Sequence, residues 1–79
     1  MQQNMQTLSA VFQEVVGFGG ALKDDLKPVD VPGWDSVAHI SIVEAIEQRF
    51  GVRLTTEQML EMTSIAKIKS VLREAGVEF

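Results

Sequence analysis

The stretch DSVAHISIVEAIEQRFG, residues 35–51, decides the fold. Asp35 stands immediately before an apolar-periodic run, where its side chain can accept from free backbone N–H groups and its charge suits a helix N-terminus. Gly51 supplies a stop in the left-handed conformation, so a helix is predicted over Ser36–Phe50. Ile42, Val43, Ile46 and Phe50 share one face of it. Ser41, Glu44 and Gln48, with Ala38 and Ala45 beside them, fall on or near the solvent side, so the outward strip reads as weakly acidic rather than apolar.

Upstream, Met5, Leu8, Val11, Phe12, Val15 and Val16 recur at the spacings of one helical stripe, with Gln6, Ser9, Gln13 and Glu14 opposite. A helix is expected over 5–16, stopped by Gly17, Gly19 and Gly20. From Gly17 to Trp34 the chain holds both prolines and the Asp24-Asp25 pair, a long ordered loop with room for one helical turn. Loops longer than about 12 to 15 residues tend to be functional or disordered, and Phe18, Leu22, Leu26, Val29 and Val31 favour a loop packed on the core.

Downstream, Thr55 and Gln58 have capping-box spacing, predicting a short helix from Thr56 to Met62 with Met59, Leu60 and Met62 buried. Thr63 or Ser64 caps a last helix whose inward stripe is Ile65, Ile68, Val71 and Leu72, while Lys67, Lys69 and Arg73 stay in water. Gly76 suits the position that ends it, and Val77 can pack back. No segment alternates with period two for long enough to make a sheet. The expected fold is all-α, a small four-helix bundle of three long helices and one short, with a long loop between the first two. Residues 1–79 form a single domain in this reading.

A chain of 79 residues and 8.7 kDa has no room for a large catalytic architecture. The absence of cysteine removes disulfides, Cys-based zinc sites and thiol nucleophiles. A net charge of −4 argues against nucleic acid as ligand. With no signal-like N-terminus and no apolar run near the ~18 residues of a membrane span, a cytoplasmic protein is expected.

Enzyme constellations are nearly absent. His39 is the single histidine, so no His-based metal triad can form, and its helical angle puts it on the inward stripe, where a hydrogen-bonded histidine at the core edge is the plain reading. Asp24, Asp25 and Asp30 lack EF-hand spacing, and Gly17, Gly19 and Gly20 lack the strand-then-helix setting of a phosphate cradle. Ser36 is different. Its hydroxyl sits in the first helical turn at the end of a long loop, where free N–H groups favour an attached phosphate. With no base nearby it is not a nucleophile unaided, so any chemical use makes it a substrate for modification.

Asp35-Ser36 alone is an ordinary helix cap. With Val37, however, it resembles the Asp-Ser-Leu attachment motif of acyl carrier proteins, valine replacing the usual leucine. The resemblance continues through Ile40, Ile42, Val43, Ile46, Glu47, Phe50, Gly51 and Val52 and through both later helices. It implies a non-enzymatic carrier in which Ser36 receives 4'-phosphopantetheine from coenzyme A and the arm holds an acyl group as a thioester. Asp35 resembles the acidic neighbour that helps a magnesium-dependent phosphopantetheinyl transferase engage the site; no metal belongs to the carrier itself.

The same resemblance makes Asp35, Val37, Ile40, Glu44 and Glu47 the docking surface for partner enzymes, namely the transferase, a loading ligase or acyltransferase, and a ketosynthase or other acyl-processing enzyme. Ala38 and Ser41 are neutral where strongly acidic carriers have acids, and Arg49 adds the opposite sign, so a dedicated pathway is expected rather than housekeeping fatty acid synthesis. His39 would border the cargo cavity, narrowing it or making it more polar and so favouring short or polar cargo. Trp34 either packs over the loop or stands exposed as a partner contact. An aminoacyl or D-alanyl carrier is the alternative within the class, and an unmodified helical interaction module is the alternative outside it. The protein is expected to be a monomer.

Overall fold

A computed structural model describes residues 3–79; Met1 and Gln2, the first two residues of the expected domain, lie outside the described residues. Four helices follow in order: α1 (Gln3–Val16), α2 (Ser36–Phe50), α3 (Thr56–Glu61) and α4 (Ile65–Glu74), with a 3-10 turn at Pro28–Asp30 in the first loop. The described residues contain no strand, and no helix among them is long and apolar enough to cross a membrane. The architecture is the expected small all-α bundle with a long loop between its first two helices.

The caps account for the helix boundaries. Asp35 Oδ1 accepts the Ala38 N–H at 2.8 Å, Thr55 Oγ1 and Gln58 form a reciprocal capping box, and Ser64 rather than Thr63 caps α4 by accepting from Lys67 N–H. Gly51 ends α2 at φ 67°, a conformation that costs a side-chain-bearing residue strain. α1 begins two residues earlier than the apolar stripe indicates, and Met62 is the C-cap of α3, not its last helical residue.

Leu8, Val11 and Phe12 of α1, Ile42 and Ile46 of α2, Met62, and Ile65, Ile68 and Leu72 of α4 are fully buried and make one core. The long loop belongs to it. Leu22, Val31 and Trp34 are buried, and the loop carbonyls of Leu26 and Asp24 accept from Ile65 N–H at 3.0 Å and Ala66 N–H at 2.9 Å. Two of the orphan donors at the start of α4 are thereby satisfied by the loop.

Several sequence expectations are corrected. Val29 is 88% exposed, because a three-residue turn presents only part of itself to the core and Val31 takes the inward place. Leu60 is 66% exposed: on so short a helix Met59 and Met62, three residues apart, share the inward side and turn Leu60 outward. Lys69 is not free in water, since its ammonium meets Asp24 Oδ1 at 2.7 Å and its side chain is largely covered. Ala38 and Ala45 are half-buried, Ala45 against the core. The outward strip of α2 is not simply acidic either. Val37 is 75% and Ile40 50% exposed, and they share the i, i+3, i+7 stripe with Glu44.

Candidate functional site

The site forms where the long loop runs into α2. Gly33, at φ 89°, turns the chain so that Trp34 points inward and Asp35-Ser36 outward. Ser36 is the first residue of α2 and is exposed. Asp35 organises this turn twice, through its carboxylate on Ala38 N–H and through its carbonyl, which accepts His39 N–H at 2.8 Å. The first-turn N–H groups of Ser36 and Val37 have no intrahelical acceptor, and they lie at the positive end of the helix.

Beside Ser36 a groove of about 480 Å³ opens between α2 and α3. Trp34, His39, Ile40, Met59 and Leu60 are among its walls. Its inner side is tied by a hydrogen-bond chain. Trp34 Nε1–H donates to His39 Nδ1 at 3.0 Å, and His39 Nε2 lies 2.9 Å from the Met59 carbonyl oxygen. An indole N–H only donates and a carbonyl only accepts, so Nδ1 is bare and Nε2 carries the proton. The two rings lie edge to edge and nearly coplanar, 18° apart with centroids at 6.1 Å, and Trp34 also packs edge-on against Phe12 in the core at 5.0 Å. His39 is thus the half-buried, hydrogen-bonded histidine that its helical angle suggested. Trp34, 3% exposed, packs inward and is no surface contact.

The remaining residues named from sequence divide. Val37, Ile40 and Glu44 form an exposed stripe running away from Ser36. Glu47 is half-buried, and its Oε2 accepts the Leu54 N–H at 2.8 Å, so it anchors the α2–α3 connection as well as ending that stripe. Arg49 turns toward α1 and pairs with Glu14, which removes its charge from the Glu44 side of α2. Leu60 and Met59 were missed as groove residues. The signal was the length of α3, too short to bury Met59, Leu60 and Met62 together.

A serine hydroxyl at a helix N-terminus, directly after an acidic cap and beside an apolar groove, is placed where an anionic group is favoured. The family described as phosphopantetheine attachment site matches over residues 6–72. The chain belongs to the acyl carrier protein family of phosphopantetheine carriers. An acyl carrier protein of Streptomyces coelicolor is 33% identical over 69 residues, covering 87% of this chain and 68% of that one. No solved structure matches the carrier. As a carrier, the chain needs an accessible attachment point and a surface that other proteins can reach.

Proposed function

We propose that Ser36 is the attachment residue and that the described residues act as one acyl carrier domain. The observation that carries this reading is the Ser36 hydroxyl itself, exposed at the first position of α2 directly after the Asp35 cap. In the modification step the Ser36 Oγ–phosphorus bond forms as the pyrophosphate P–O bond of coenzyme A breaks. The hydroxyl proton passes to a base of the transferase, and adenosine 3',5'-bisphosphate leaves. The attached phosphodiester keeps a negative charge, which the start of α2 stabilises.

The arm supplies the thiol that the chain lacks, holding cargo as a thioester. The protein's own residues position and present it, and tethering raises its effective concentration at each enzyme. Asp35 holds the helix start in place for a magnesium-dependent transferase, the metal belonging to that enzyme. Val37, Ile40 and Glu44, with Glu47 at the far end, form the docking stripe for the transferase, a loading ligase or acyltransferase, and a ketosynthase or similar enzyme. An apolar stripe with few acids supports a dedicated partner set over a housekeeping fatty acid synthase.

Incubation with coenzyme A, magnesium and a promiscuous transferase tests the reading by intact mass. One phosphopantetheine increment is expected on the wild type and none on Ser36→Ala. An unchanged wild-type mass, or an increment retained in Ser36→Ala, overturns it.

A further inference from the structure

The groove beside Ser36 has an unusual inner wall. Trp34, His39 and the Met59 carbonyl form a continuous hydrogen-bonded strut from the end of the long loop, across α2, to α3. Behind it the space is filled: Trp34 packs on Phe12, and Phe12, Ile42 and Met62 are fully buried. A long alkyl chain could reach the interior here only by parting α2 from α3 or by displacing Trp34. Either movement separates His39 from a partner and leaves an indole N–H, an imidazole nitrogen or a carbonyl unsatisfied in a partly buried setting.

The strut also limits what the groove can offer. Both imidazole nitrogens and the indole N–H are already engaged within the protein, so they have no hydrogen bond to give to cargo. Ile40, Met59 and Leu60 supply apolar contact. Met59 adds a flexible thioether that adapts to small differences in shape.

Building on the attachment at Ser36, we propose that the Trp34–His39–Met59 strut fixes this groove as a shallow seat for short apolar acyl groups and bars longer chains from the bundle. His39 and Trp34 are then specificity-determining residues. They act by closing a route, not by binding polar atoms of the cargo, so short apolar acyl cargo is favoured over aminoacyl cargo.

The test loads the whole carrier by transferase from acetyl-, butyryl-, hexanoyl- and octanoyl-coenzyme A, confirms each product by mass, and reads thermal stability and the Trp34 indole ¹H–¹⁵N resonance. In the wild type Tm should rise from acetyl to butyryl and then level off, with the indole resonance unmoved throughout. In His39→Ala it should keep rising to octanoyl as the chain enters, with the indole resonance shifting. Trp34→Phe keeps an aromatic ring but removes the donor, and it should show the same continued rise should His39→Ala fail to fold. Wild-type Tm that climbs steadily to octanoyl while the indole resonance moves overturns the proposal, as does a plateau retained in the folded variants. Failure to gain any mass instead overturns the attachment at Ser36, and the seat falls with it.

Discussion

Lys69 and Asp24, 45 residues apart in the chain, meet through an ammonium–carboxylate hydrogen bond of 2.7 Å. The contact fastens the first loop to α4 beside the two backbone bonds that the loop carbonyls of Asp24 and Leu26 accept from Ala66 and Ile65. A loop that approaches Ser36 from so far away is held in register by α4, a helix with no residue in the groove.

The Lys69 hydrogen bond, reinforced by its charge and by Arg73, holds the Asp24 carboxyl below the ordinary aspartate range. A depressed folded-state pKa stabilises the fold above the unfolded-state pKa, and that contribution is lost as pH falls through the folded-state value. Asp24→Asn should therefore lower Tm at neutral pH by a few degrees at most, since the carboxylate is exposed and screened. The gap between variant and wild type should close between about pH 5 and about pH 2. A gap unchanged across Tm measurements over that range would show that the ion pair contributes nothing.

Leu60 and Met62 give a sharper contrast. Leu60→Ser should change stability by no more than about 0.5 kcal/mol, as at an open surface position. Met62→Ala empties a fully buried site and should cost about 2–5 kcal/mol. Urea unfolding of both variants decides the matter, and comparable losses would mean that α3 packs the other way round.

That contrast marks where the sequence was legible. Helix starts at Asp35, Thr55 and Ser64 rest on local chemistry between residues three apart, and such contacts can be read without tertiary structure. The inward stripes of α2 and α4 were equally plain, and so was the core-edge place of His39. The fate of Leu60 and Val29 was not, because one-turn elements carry too few residues for periodicity to choose a face. Trp34 and Lys69 were illegible for another reason: their partners, Phe12 and Asp24, lie far off in the chain, and only the path of the loop brings them close. The exposed apolar stripe of Val37 and Ile40 could have been found, since its i, i+3 spacing is the same rule that located the core.

Gly51 tests a backbone effect free of packing. It stands at φ 67°, and a Cβ placed there meets nothing within 4 Å. Gly51→Ala should therefore cost about 1 kcal/mol through conformational strain alone, and Gly51→Asn should recover part of that loss. Equal stability of glycine and alanine in chemical denaturation would place the end of α2 in a different conformation.

Two glutamates on α2 separate folding from docking. Glu47 accepts the Leu54 N–H from a half-buried position, so Glu47→Ala should lower stability by about 1–2 kcal/mol whether or not a partner is present. Glu44 is exposed on the stripe that begins at Val37, and Glu44→Gln should leave the unfolding midpoint unchanged. Under the proposed docking role, its effect is expected on encounter with basic partners. Glu44→Lys should slow phosphopantetheinylation several-fold at low salt, with the difference shrinking as ionic strength rises. A rate insensitive to both the substitution and salt would remove Glu44 from the docking surface. The encounter would then rest on Val37, Ile40 and Leu60, whose contribution is apolar and only weakly dependent on salt.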